Sequence, residues 1–283
     1  MAIVVNTNVT SNLVQATLTH ANSDVYKSIT RLSTGSRINK ASDDAAGLSI
    51  AKRFESQAQA ALIAKDNTQH GVNLLQVAEG DLEVIQDNLQ RIRDLSVQAA
   101  NGTYSTEEKA MLANEVKVRL QEIDRIATVS KFSTINLLDG TTTSMLVLQV
   151  GTDSGADNQL YIKDALIKAT ATALNANLTA EYVDKAFSTS NNANAFVDVI
   201  DAAINKVSSA RSEIGAYQNR LESTLESLDI RYQNMSSSLS TIQDTDIAEE
   251  TTKYTKAQIL QSVSSSLLAQ ANSATSIVLN LIQ

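Results

Sequence analysis

Apolar residues recur at helical spacing along most of the chain. In the middle, Leu75, Ala78, Leu82, Ile85, Leu89, Ile92, Ser96 and Ala99 alternate by three and four, a heptad-like seam that ends at Asn101 and Gly102. Ser105, Thr106, Glu107 and Glu108 read as a capping box opening a second helix, with Leu112, Val116, Leu120, Ile123 and Ala127 facing inward. A third pattern runs from about Thr179 to Ile242 through Phe196, Ile200, Ala203, Val207, Ala210, Ile214, Tyr217, Leu221, Leu225, Leu228, Met235 and Leu239. Ser42 followed by Asp43 and Asp44 predicts a helix start, a cap oxygen followed by carboxylates at the positive pole. Between the second and third patterns the period changes to two. Residues 144–150 and 159–162 read as strands around a turn from Gly151 to Asn158.

These patterns predict a mostly α fold: a long antiparallel helical bundle or coiled coil from paired N- and C-terminal segments, with a small β-hairpin near 144–162. Seams this long need antiparallel partners, because a lone helix has nothing to bury its stripe against.

Composition sharpens this. The chain of 283 residues has no Pro, Cys or Trp and only 9 Gly, where average usage predicts roughly 14 prolines and roughly 20 glycines. The residues that stop helices are missing. Zero Cys excludes disulfides, thiolate metal sites and a cysteine nucleophile, and the 2 His, His20 and His70, leave little for a histidine metal site or a catalytic triad. A net charge of −8 with no basic run lacks the footprint of a nucleic-acid binder. No apolar run is long enough to span a membrane. The opening Met1, Ala2, Ile3, Val4 and Val5 has no basic residue before it, so export without a cleaved signal peptide is the expectation.

Charge is distributed unevenly. From Met1 to Ser23 the only ionisable side chain is His20, and from Ala257 to Gln283 there is none. The C-terminal segment carries a stripe of Leu260, Val263, Leu267, Ala271, Ala274, Val278 and Leu281. Val9, Leu13, Ala16, His20, Val25, Ile29 and Leu32 form a looser one at the other end. Charge-free helices with one apolar face suit a crowded helical interior, where unpaired charge is costly to desolvate. The predicted polymerisation interface is therefore Leu13, Leu260, Val263, Leu267, Ala271, Val278 and Leu281, buried between the two ends and further copies of the chain.

Catalytic readings fail on the residues. Asp43 and Asp44 are explained by helix capping, and the carboxylates at Asp153 and Asp157, or Asp244 and Asp246, miss the full calcium-loop pattern. There is no phosphate loop, dinucleotide fingerprint or metalloprotease motif. The expectation is no catalytic residue, no cofactor and no metal. Arg91 and Arg93 flank Ile92 as an exposed pair.

Three motifs carry a family resemblance. The run from Arg31 through Gly35, Arg37, Asn39, Asp43, Asp44 and Gly47 to Ile50, the run from Ile214 to Glu222, and the end piece from Gln258 to Asn272 are similar to bacterial flagellin. The likeness covers roughly the first 160 and last 100 residues and implies a short form without large outer domains. It implies a structural subunit that polymerises into the flagellar filament for motility. The terminal helices, 1–41 plus 245–283, would form the inner core, and 42–244 a rod domain around it. The implied location is extracellular, in the flagellum. The implied partners are further copies, an export chaperone, the filament cap and the hook–filament junction proteins, with no nucleic acid and no membrane. The stretch from Gln90 to Val97 also resembles the segment that the host flagellin-sensing Toll-like receptor contacts, implying Arg91, Leu95 and Glu115 as receptor contacts.

The chain departs from the family pattern at Thr275, usually proline, Ser264, usually glycine, and Thr241, usually arginine. The first two should make the last helix more regular; the third puts in question whatever that arginine contacts. Two rivals stand beside the filament subunit: a flagellin-like hook–filament junction protein, which would adapt rather than polymerise alone, and a secreted enzyme on a helical scaffold. A coiled-coil signalling or adhesin rod fits the hairpin and the charge-free ends poorly.

Overall fold

The computed structural model describes residues 7–141, 146–162 and 165–282, with side chains described up to residue 273. Among the described residues seven α-helices and four short strands occur in order: α1 Val9–Thr34, α2 Ala45–Ala100, α3 Thr106–Val129, β1 Lys131–Phe132, β2 Ile135–Asn136, β3 Leu146–Gln149, β4 Gln159–Ile162, α4 Ala171–Leu174, α5 Ala180–Ala186, α6 Ser190–Gln243 and α7 Ile247–Ile282. The fold is mostly α with small antiparallel hairpins, as the apolar spacing predicts. Two compact units divide it. One takes the described residues up to Ala58 and those from Gln233 onward; the other runs from Gln59 to Tyr232.

In the first unit α1 and α7 pair antiparallel. The Asn8 amide donates to the Ala271 carbonyl at 2.9 Å, Gln261 donates to Asn22 at 2.7 Å, and Arg31 lies 3.7 Å from Glu250. The seam positions on α1 are Ser11, Val14, Leu18, Ala21, Val25, Ser28 and Leu32; on α7 they are Glu250, Tyr254, Ala257, Gln261, Ser264, Leu268 and Ala271. Both series step by three and four, the geometry of a coiled coil. The buried members are Ala21, Ser28, Ala257, Ser264 and Glu250, four of them small. The α7 helix runs unbroken through Ser264 and Thr275, as the absence of glycine and proline there leads one to expect.

The connections on either side are laced together. Gly35 caps α1 with φ 71°, a left-handed conformation that glycine adopts without strain. Ser36 bridges Asp244, the Arg37 amide donates to the Gln243 carbonyl at 2.6 Å, and the Thr245 amide donates to the Gly35 carbonyl at 2.9 Å. The Arg37 guanidinium then donates to the carbonyls of Ile242 and Thr241 at 2.6 and 3.4 Å, a cation on the last carbonyls of α6. At position 241 the backbone carbonyl, not the side chain, makes this contact.

The start of α2 corrects the predicted cap. The helix begins at Ala45, and its capping oxygen belongs to Asp44, which accepts from the Gly47 amide at 2.8 Å. Residues 41–43 form a turn instead. Asp43 is used within it, accepting from the amides of Lys40 and Asn39 at 3.0 and 3.2 Å. Those bonds favour the ionised form and hold its carboxyl below the ordinary 3.8.

In the second unit, α2, α3 and α6 surround one core. Leu82, Ile85, Leu89, Ile92, Val116, Ile123, Phe196, Ile200, Val207 and Ile214 are fully buried. Polar rungs edge the seam between α2 and α6: Lys65 to Asp229, Glu79 to Gln218, Gln86 to Arg211, and Arg93 to Asp201. Each later residue on α2 meets an earlier one on α6, so the helices are antiparallel. The capping box at Ser105 and Glu108 is present on α3.

The predicted third helix is interrupted. It divides into α5 and α6 because Thr189 turns its hydroxyl to the Asn192 amide at 3.3 Å and caps a fresh helix, while Tyr182 and Phe187 each pack 6.0 Å from Phe196. The predicted hairpin is β3–β4, with Leu146 opposite Ile162 and Gln149 opposite Gln159; residues 144 and 145 lie outside the described residues. Leu148 sits over Gly71 of α2, where a Cβ would come 2.5 Å from its Cδ1. The second hairpin, β1–β2, carries no alternating apolar pattern and turns at Ser133 with φ 54°.

Candidate functional site

The helices α1 and α7 present two faces, and among the described residues only one is used between them. The seam of α1 and α7 takes small residues and half-buried aliphatics. The described large residues of the predicted interface, Leu13, Leu260, Val263 and Leu267, are exposed instead. Leu13 is 68% exposed, Leu260 44%, Val263 48% and Leu267 51%. Ala271 is half-buried at the seam, and the side chains of Val278 and Leu281 lie outside the described residues. Val9, Tyr26, Ile29 and Ile259 extend the exposed apolar face.

Backbone pairing lowers the cost of covering so polar a surface. The hydroxyls of Thr17, Thr19 and Ser266 donate to the carbonyls of Leu13, Gln15 and Ser262, each one turn back, at 3.0, 2.9 and 3.1 Å. Thr30 and Thr255 do the same. A hydroxyl with an internal acceptor loses less on leaving water than a free one. Nothing in the hydropathy pattern announces this; the signal is the density of Thr and Ser at exposed helical positions.

Charge returns where the uncharged stretches end. Glu250 is buried at the seam, 3.7 Å from Arg31 and 3.9 Å from Lys253. Asp24, Lys27, Arg31, Lys253 and Lys256 surround a hollow of about 380 Å³ beside Ala257 and Leu260.

The three residues implied as receptor contacts are not equally available. Arg91 and Glu115 are paired at 3.2 Å across α2 and α3, with Arg119 on the same carboxylate at 3.3 Å. Leu95 is only 1% exposed and belongs to the core. Arg93 is held by Asp201 at 2.6 Å, which stabilises the guanidinium and raises its affinity for its proton. Beside the Arg91 pair, Asn88, Glu115, Val118, Arg119, Gln121, Glu122 and Arg125 line a hollow of about 500 Å³. Its Glu122 carboxyl lies below the usual range because Arg125 donates to both of its oxygens, at 2.7 and 2.8 Å. An ion-paired carboxylate of this kind is a weak base.

Among the described residues there is no cluster of three or more His, Cys, Asp or Glu able to hold a metal, and His20 and His70 are both exposed. Among those residues no helix is long and apolar enough to cross a membrane.

Comparisons with known proteins agree with this arrangement. The family profile described as the bacterial flagellin N-terminal helical region matches residues 5–143, and that of the bacterial flagellin C-terminal helical region matches residues 197–282. The chain is 36% identical to flagellin FlaB2 of Treponema pallidum (strain Nichols), over 99% of this chain and 100% of that protein. It is 37% identical to the flagellar filament 33 kDa core protein of Treponema phagedenis, with the same coverage. A solved structure of a candidate flagellar hook-associated protein from Vibrio parahaemolyticus shares the fold, with a TM-score of 0.60 at 16% identity, covering 71% of this chain and 100% of that one. With both terminal regions matched and relatives aligned end to end, this chain belongs to the bacterial flagellins and is a structural subunit of the flagellar filament.

Proposed function

We propose that the subunit polymerises by burying the outward stripe of its terminal helices against further copies. The observation that carries this is the exposure of Leu13, Leu260, Val263 and Leu267 within stretches, 1–23 and 257–283, that hold no Asp, Glu, Lys or Arg to keep them in water. Burying a fully exposed Leu or Val is worth roughly 1.5–3 kcal/mol, so about 1 kcal/mol remains to be gained at each half-exposed position. A contact between unlike surfaces of identical subunits does not close on itself and extends as a helix. In this reading residues 1–41 and 245–283 form the inner core and 42–244 the rod around it. The chain leaves the cell without a cleaved signal peptide and meets an export chaperone, the cap and the junction proteins. It works outside the cell and carries out no catalysis.

The test is seeded elongation of the purified full chain, followed by light scattering and negative-stain microscopy. Long filaments are the expected result. Seeds that acquire a single layer and stop would instead identify a junction protein, the alternative favoured by the hook-associated fold likeness. For the host Toll-like receptor, the exposed Arg91–Glu115 pair supports contact through those two residues, with Leu95 supporting them from the core.

A further inference from the structure

The chain has one Asn–Gly dipeptide, Asn101–Gly102, and it lies in the exposed turn between α2 and α3. We propose that Asn101 is a site of spontaneous deamidation and isoaspartate formation, selected by the conformation of this turn. The Gly102 nitrogen is the nucleophile. Among the described residues its N–H makes no hydrogen bond, and a Cβ built on Gly102 meets nothing within 4 Å. No backbone hydrogen bond to Gly102 has to break before its nitrogen attacks. The electrophile is the Asn101 side-chain amide, whose Oδ1 accepts from the Thr103 amide at 3.1 Å. A donor on that oxygen stabilises the negative charge that develops there during attack.

The step balances with water as its only co-reactant. The Gly102 nitrogen bonds to Cγ of Asn101, the bond from Cγ to Nδ2 breaks, and the nitrogen leaves as ammonia with the proton lost from Gly102. Water then opens the resulting succinimide at either carbonyl. One opening yields aspartate; the other routes the backbone through Cβ as isoaspartate. Either product places a carboxylate at the C-terminal, negative end of the 56-residue helix α2, where it opposes the dipole. The second also lengthens the turn that leads into the capping box of α3.

The same ring closure is available in principle at Asp139–Gly140, and there the structure opposes it. Asp139 Oδ1 accepts from the amide and hydroxyl of Thr141 at 2.8 and 2.6 Å and Oδ2 from Asn136 at 2.6 Å; together these keep the carboxyl ionised, without the hydroxyl that would have to leave on attack. Gly140 is held at φ 83° with the Lys168 chain packed against it. At Asn22–Ser23 and Asn67–Thr68 the attacking nitrogen lies inside an α-helix, whose backbone bonding withdraws it. The inference needs only water and an open turn, so it stands independently of the assembly mechanism. In a polymer outside the cell it would mark older subunits.

The test holds the purified full chain in mildly alkaline buffer, with a parallel sample unfolded in guanidinium chloride. Tryptic peptides are followed by mass spectrometry. Isoaspartate is read with protein L-isoaspartate methyltransferase and labelled S-adenosylmethionine as the probe. The peptide from Asp94 to Lys109 should gain one mass unit (NH2 replaced by OH) and take up label, at a rate within about tenfold of the unfolded chain. The peptide holding Asp139 should take up label more slowly in the folded chain than in the unfolded one. Gly102→Ala, at a site with free space and no left-handed φ, should fold normally and slow conversion by about tenfold or more. Conversion of the folded chain more than tenfold slower than the unfolded, an unchanged rate in Gly102→Ala, or equal labelling at Asp139 in both states would each overturn the proposal.

Discussion

Replacing Leu260 and Leu267 together by Gln is the most direct probe of the outward stripe. Gln matches Leu closely in helix propensity and adds no charge, so the change is confined to what the side chain offers a neighbour. The two leucines are 44% and 51% exposed. About half of the roughly 1.5–3 kcal/mol for full burial is therefore still to be gained on assembly, or about 1 kcal/mol each. Losing both costs about 2 kcal/mol per subunit, which raises the critical concentration for elongation about thirtyfold. The assay is the soluble protein left at steady state after seeding, measured by sedimentation over a range of total concentrations. Circular dichroism and thermal melting of the unassembled chain serve as the control: helicity should be unchanged and the melting temperature lowered only slightly, because each side chain is only about half covered within it. An unchanged critical concentration with intact helicity would refute the argument that this face is the contact.

Other expectations concern the fold and its pH response. Ile92→Ala removes a fully buried side chain from α2 and should cost about 2–5 kcal/mol in chemical denaturation of the unassembled chain. Ser105→Ala breaks the capping box of α3 and should cost about 1 kcal/mol in the same measurement. Asp139 has its carboxyl held below the ordinary 3.8, chiefly by the Thr141 hydroxyl. Its contribution is therefore complete above that value and is lost as pH falls through the lower folded value. Melting curves for the parent and Asp139→Asn should thus converge under acid conditions and separate near neutrality. Arg91→Ala should reduce activation of cells bearing the flagellin-sensing receptor while leaving the fold intact, since Arg91 is exposed and its one described partner is Glu115.

Helix boundaries show where local information is enough. The capping box joins Ser105 and Glu108, two residues three positions apart, and it forms where the spacing predicts. The cap of α2 moves from Ser42 to Asp44 because three adjacent residues can all supply an oxygen. The choice falls to the turn that Asp43 closes on Lys40 and Asn39. The break at Thr189 escapes an apolar count altogether, since the stripe continues in phase on both sides. The small hairpin at Lys131–Asn136 is likewise too short to show a period.

The sequence alone determined that this is a long-helix protein. The three–four spacing of Leu75 to Ala99, with no proline to interrupt it, leaves few other ways to bury those side chains, and every one of them is buried. It also marked the charge-free ends, since charge is written directly in the residues. Tertiary structure decided which face of those ends is kept and which is left open. The stripe of Leu260, Val263 and Leu267 is what a pattern search takes for a seam, yet α1 packs on Ala257, Gln261, Ser264 and Leu268. Periodicity records that a residue is suited to burial, but it holds no information about which partner buries it. Close approach of two helices selects the small residues for their own contact, and that leaves the larger ones for another molecule.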